Sequence, residues 1–122
     1  MPVRIRDKED YTGSVTPSAL NSEVTVIEVG GYSDDFIVEG YIDVANLAEG
    51  EVLEIREYIA IDGTNYRLFE KAEITGVYET PAIRFHSKLF YKSFKYKVTI
   101  IQKSGTLRSF PYAFIVQILE VI

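Results

Sequence analysis

The chain has 122 residues and contains no cysteine and no tryptophan, one methionine, one histidine and four prolines. Without thiols there can be no disulfide framework and no thiolate metal site, so stability must come from a core or from assembly. With His86 as the lone imidazole, a His-based metal cluster is excluded, and a catalytic triad would have to use that residue. No stretch is apolar over the ~20 residues that a membrane-spanning helix needs. The opening MPVRIRDKEDYTG carries basic residues with no apolar run behind them, so it does not read as a secretory signal. A soluble chain is expected. Acidic residues are absent from 81–119.

What is present reads as globular: 47% hydrophobic and 25% charged residues, with nine Tyr and seven Phe. A disordered chain would be poorer in aromatic and β-branched residues, and this abundance favours strands. Few Asn, Gln and Met beside plentiful Ile, Val, Glu and Lys is the leaning of a chain from a hot environment. Net charge is −5, but unevenly spread: residues 1–80 hold 17 acidic and 6 basic residues, whereas 81–119 carry Arg84, Lys88, Lys92, Lys95, Lys97, Lys103 and Arg108. Two readings follow. In one, acidic strands pair with basic ones across a sheet; in the other, complementary faces attract another copy or an anionic partner.

Along the chain, residues 1–22 are polar, without sustained period, and read as an arm or leading loop. Residues 23–122 read as one β-sandwich domain. EVTVIEV is a strand ended by Gly30 and Gly31, and DFIVEGYIDV is a second whose Gly40 signals a bulge or close backbone approach. EVLEIREYIAI has strand period on Leu53, Ile55, Ile59 and Ile61. A four-residue loop, Asp62–Asn65, would set Ile59 opposite Leu68, Leu53 opposite Ile74, and, unfavourably, Glu57 opposite Glu70. After Pro81, a strand puts Ile83, Phe85 and Leu89 on one face. KYKVTIIQKSGTLRSFPYAFIVQIL reads as a hairpin closed by Lys103–Gly105, pairing Tyr96 with Tyr112 and Val98 with Phe110, with Gly105 left-handed. About seven to eight strands without helical period predict an all-β, antiparallel two-sheet sandwich, jelly-roll-like, with a closed barrel as runner-up.

The last strand is greasy on both faces. Its even positions suit the core, yet its odd positions carry Ala113, Ile115, Leu119 and Val121, which a solvated sheet would not show. Leaving two large aliphatics wet forgoes roughly 1.5–3 kcal/mol each. A cover is therefore expected, either the chain's own arm or another subunit, and these four residues are the expected self-association set.

No catalytic or cofactor motif stands out, and an enzyme is not expected. Asp34, Asp35, Glu39 and Asp43 lack EF-hand spacing and read as solvated turn acids, so no metal and no cofactor is assigned. The aromatic, basic run RFHSKLFYKSFKYK resembles a single-strand nucleic-acid surface, but alternation gives Phe85, Phe94 and Tyr96 to the core, and an acidic chain argues against phosphate binding. Tyr32, Phe90 and Tyr91 remain as rings that could stack on a sugar, the basis of an alternative reading as a carbohydrate-binding module.

Two segments, YIDVANLAEGEVLEIREYIAIDG (41–63) and KYKVTIIQKSGTLRSFPYAFIVQIL (95–119), resemble those of small β-sandwich structural proteins encoded by viruses of bacteria and archaea. The shared pattern is an Ile-Asp turn, a Gly-Glu entering a strand, then strand, Ser-Gly turn and aromatic strand, over about half the chain. The resemblance implies a virion role: capsid decoration or cement, minor capsid component, or spike base. Its partners would be other copies of itself and another capsid protein.

Overall fold

The computed structural model describes residues 2–122. It contains eight strands: β1 (Val3–Val15), β2 (Glu23–Gly30), β3 (Phe36–Asp43), β4 (Val52–Ala60), β5 (Arg67–Thr75), β6 (Ala82–Phe90), β7 (Lys95–Gln102) and β8 (Phe110–Val121). They form two antiparallel sheets of four, sheet A in the order β1-β8-β3-β6 and sheet B in the order β2-β7-β4-β5. Only β4 and β5 are consecutive strands joined within one sheet; every other connection crosses between layers. This is the winding of an eight-stranded jelly roll, and two separate sheets replace the closed-barrel alternative.

Alternation builds the core. Phe36, Val38 and Ile42 of β3 and Phe110, Phe114, Val116 and Ile118 of β8 face Leu53 and Ile55 of β4 and Tyr96, Val98 and Ile100 of β7, all buried. Each of these four strands lies inside its sheet, which is why their apolar periods are the cleanest in the sequence.

The edge strands differ. Each of β1, β2, β5 and β6 carries one β-bulge against its neighbour, whereas the interior pairs β3–β8 and β4–β7 run without a shift. Bulges twist an edge away from a second sheet and so discourage edge-to-edge pairing.

Several expectations change. Residues 3–15, read as part of an arm or leading loop, form β1, paired with β8 from Val3↔Val121 to Val15↔Phe110. The strand was invisible because only Val15 of its thirteen residues is buried. β7 and β8 are not a hairpin: they belong to opposite sheets, and residues 103–109 cross the sandwich. Gly105 does take a positive φ of 85°, but within that crossing. The β4–β5 hairpin keeps Leu53↔Ile74 and Glu57↔Glu70, after which a bulge at Phe69 moves Ile59 to Arg67. Gly40 meets its expectation: a Cβ there would overlap the Phe114 ring and lie 2.5 Å from the Ala113 carbonyl oxygen.

Candidate assembly surface

The two outer faces of the sandwich are chemically unlike. That of sheet B is polar and self-satisfied. Arg56 Nε lies 2.7 Å from Glu54 and its Nη1 3.5 Å from Glu23; the Tyr58 and Thr99 hydroxyls both donate to Glu23 Oε2, at 2.6 and 2.5 Å. Lys97 sits over the rings of Tyr58 and Tyr66, 5.1 and 4.3 Å from their centroids, which are cation–π distances. The basic second half of the chain meets the acidic first half within the molecule here and at Lys103–Glu54, Lys88–Glu57 and Arg108–Glu51. The charge asymmetry of the sequence is thus in part neutralised by pairing between elements.

The outer face of sheet A carries apolar side chains at one end, and two bulges put them there. On β1, Asp7 pairs with Ile118 and Ile5 with Leu119, so Arg6 is the extra residue. From residue 7 onward the odd positions of β1 share the inner face with Ile118 and Val116. Past Arg6 the parity reverses, and Val3 and Ile5 join Val121 and Leu119 outside. On β6, Val38 pairs with Lys88 and Gly40 with Phe85, so His86 and Ser87 together oppose Glu39. Phe85 and Phe90 can then both point inward although they differ in parity, and Leu89 points out, 67% exposed. The expected single face of Ile83, Phe85 and Leu89 is broken at that bulge.

The result is a band crossing all four strands: Val3 and Ile5, then Val121 and Leu119, then Ile37, which pairs with Leu89. Val3, Ile5, Leu89 and Val121 are each more than half exposed, and Tyr91 beside them is 70% exposed. A groove of about 540 Å³ lies on part of the band, lined by Val3, Leu89, Tyr91, Leu119 and Val121 together with Asp34 and Asp35. Its rim is already paired: Arg4 Nε lies 2.6 Å from Glu120, Arg6 Nε 3.2 Å from Asp34, and the Lys92 backbone N–H donates to Asp35 at 2.9 Å. An apolar centre within a polar, charge-balanced rim is the anatomy of a protein interface.

Of the four β8 residues singled out by sequence, Leu119 and Val121 lie in this band. Ile115 stands mid-sheet between Asp10 and Glu39, half-buried, and Ala113 is exposed between Thr12 and Tyr41. β1 lies beside β8 in the sheet and not over it, so the chain's own arm does not cover this face. Val3, Ile5, Ile37 and Leu89 were missed; their signal is an apolar residue at the wrong parity near a strand end, which only the register makes readable.

The stacking candidates separate. Phe90 is a core residue, 6% exposed, against Phe36 and Tyr96 at 5.4 and 5.3 Å between centroids; the bulge turned it inward, and it is withdrawn as a ligand-stacking ring. Tyr32 is half-buried, edge-on to Phe36 at 4.9 Å, with its hydroxyl donated to Glu9; burial and that bond raise its pKa. Tyr91 alone is open. His86 is exposed in the β6 bulge. Asp43 accepts the Ala45 N–H at 2.9 Å, and among the described residues no group of acids and His is arranged to hold a metal ion.

Three glutamates are buried among the described residues, Glu51, Glu54 and Glu57, and Glu57 shares its face with the core residue Val98, its register partner on β7. Glu57 on β4 is buried, accepts the Tyr96 hydroxyl at 2.5 Å, and lies 3.3 Å from Lys88 Nζ, which reaches in from β6. Burial raises its pKa, against the lowering pull of Tyr96 and Lys88, while Glu70 opposite adds to the rise. Lys88 thus ties the edge of one sheet to the other and offsets the Glu57–Glu70 opposition.

No protein-family model and no curated protein matches this chain. Solved structures do. VP2 in a subviral particle of infectious bursal disease virus is 12% identical with a TM-score of 0.50, covering 95% of this chain and 33% of its own. T=1 particles derived from infectious bursal virus give 17% and 0.54, covering 95% and 32%. The Gt strain of infectious bursal disease virus gives 18% and 0.50, covering 96% and 33%. At these identities the likeness is one of fold, and this chain spans about a third of the length of those it matches. The resemblance read in the sequence is met at the level of a β-sandwich found in virus particles; a bacterial or archaeal host has no counterpart in these three.

Proposed function

We propose that the chain is a non-enzymatic structural subunit of a virus particle, a capsid decoration or cement protein, minor capsid component or spike base, which associates with other copies of itself through the outer face of sheet A. The observation that carries this reading is the apolar band raised by the bulges at Arg6 and at His86–Ser87. Without the bulge at Arg6, Val3 and Ile5 would share the inner face, and the bulge at His86–Ser87 turns Leu89 out while Phe90 goes in. The aliphatic side chains left on the surface gain up to roughly 1.5–3 kcal/mol each when a second copy covers the band. The fold likeness to chains of virus particles supports the class of protein, and an additional capsid protein is a second partner of the same surface.

Ala113, Ile115, Leu119 and Val121 supply β8's part of the contact. The double variant Ile115→Ser, Leu119→Lys is expected to remain a folded monomer that no longer associates in sedimentation velocity runs; association at the wild-type level would overturn the reading. The carbohydrate-binding alternative retains Tyr91, which lines the groove. Glycan-array binding lost on Tyr91→Ala, with no concentration-dependent oligomer, would favour it.

A further inference from the structure

β1 is held by its backbone more than by its side chains. It runs thirteen residues along β8, yet Val15 is its only buried residue, Glu9 and Tyr11 are half-buried, and Val3 and Ile5 face outward. Lifting it away would lose the hydrogen-bond ladder to β8, the packing of Val15 and Tyr11 on the core, and the contacts Glu9–Tyr32, Arg4–Glu120 and Arg6–Asp34, and the same set re-forms when the same strand of another copy takes its place. Such a strand, poor in buried contacts, belongs to the low-stability end of a fold. The connection to β2, residues 16–22, has seven residues and spans up to ~23 Å when extended, about twice the ~10 Å between stacked sheets. It is long enough to close β1 onto its own β8 and to let β1 leave.

The vacated edge of β8 is selective. Val121 and Leu119 meet apolar partners only if the incoming strand has one extra residue between those opposite Leu119 and Ile118, as β1 has at Arg6. Other edge strands carry their bulges elsewhere in their registers. We propose that β1 is an exchangeable strand: in the assembled state, β1 of one copy pairs with β8 of the next and carries Val3 and Ile5 into that neighbour's apolar band. Each band is then completed by a residue pair from another subunit. This rests on the self-association above, and it adds to the contact between sheet A faces a strand exchange of the kind that links protomers at low cost.

The native chain has no cysteine, so single introduced thiols report pairing without background. Thr12 and Ala113 are register partners on the outer face, and Glu9 and Val116 on the inner face; antiparallel partners lie ~4.5–5.5 Å apart between Cα atoms, within disulfide reach. Thr12→Cys protein is mixed with Ala113→Cys protein, and Glu9→Cys with Val116→Cys, each at a concentration where the wild type associates, and oxidised. Exchange is expected to give a covalent heterodimer in both mixtures, outweighing either homodimer on a non-reducing gel. A heterodimer from the outer pair alone would mean that faces meet without exchange, overturning this proposal and leaving the assembly surface standing. No heterodimer from either pair also overturns it, while sedimentation of the same samples decides the assembly reading separately.

Discussion

Leu89→Lys tests the assembly band with the least disturbance to the fold. Leu89 is 67% exposed, so the isolated chain hides only a third of it, and the substitution should move monomer stability by no more than ~0.5 kcal/mol, as surface changes do. The effect on association is larger. Covering a whole leucine is worth roughly 1.5–3 kcal/mol, hence about 1–2 kcal/mol for the part still exposed. In a two-fold contact both copies contribute, giving about 2–4 kcal/mol, and at 1.4 kcal/mol per decade the dissociation constant rises roughly 30- to 700-fold. The cost of bringing an ammonium group against the neighbour adds to this. Sedimentation velocity over a concentration series measures the change, and a thermal melt checks the fold. The control is Leu68→Lys, a leucine 48% exposed on the edge strand of the other sheet, which should leave association untouched. Equal effects from the two variants would refute the assignment of the surface to sheet A.

Gly40→Ala should destabilise the chain by about 1–3 kcal/mol and lower the melting temperature by roughly 5–15 °C, because the new methyl overlaps the Phe114 ring in a filled core; an unchanged calorimetric melt would contradict that packing. Glu51 accepts the N–H groups of Ala48 and Thr106 and two from the Arg108 guanidinium, which hold its pKa down at about 2 from the ordinary 4.5. The stability it contributes is present above pH 4.5 and lost as pH falls toward 2, so Arg108→Gln should be less stable than wild type at pH 7, with the gap narrowing across that window in urea melts. Glu57 has the opposite sign: burial raises its pKa from 4.5, so its contribution is complete below pH 4.5 and is lost as pH rises through the raised value. Wild type should therefore lose stability relative to Glu57→Gln as pH rises above 4.5, and a gain would show that the Lys88 pair outweighs burial.

The interior strands were legible because each is flanked by strands on both sides and packed on one face, so hydrophobic parity has a single meaning from end to end. Phe110, Phe114, Val116 and Ile118 face inward, as alternation requires, and so do Tyr96, Val98 and Ile100. Parity cannot say whether two such strands lie side by side or stack across a core, since both arrangements turn the same faces together. That is why β7 and β8 read as a hairpin. β1 was illegible for a different reason: an edge strand that buries only Val15 leaves no apolar period to find. The band was half legible. Leu119 and Val121 stand on a strand with unbroken register to β3, whereas Val3, Ile5 and Leu89 each lie beyond a one-residue shift, and a shift of one exchanges the two faces.

Those shifts also bear on how copies can meet. Every edge strand of the sandwich is bulged, and β5, the most exposed, adds Arg67, Glu70, Lys71 and Glu73 along its length, so each sheet edge is a poor template for a second sheet. Association by simple edge extension is disfavoured at all four edges, leaving the faces. The sheet B face has its charges paired and its aromatic rings capped by Lys97, and a partner would have to displace those contacts. The sheet A face presents aliphatic side chains with a rim already neutralised, so covering it desolvates little that is polar. The bulge at Arg6 serves both ends at once, blunting the β1 edge against unwanted pairing while turning Val3 and Ile5 onto the surface where a wanted partner gains from them.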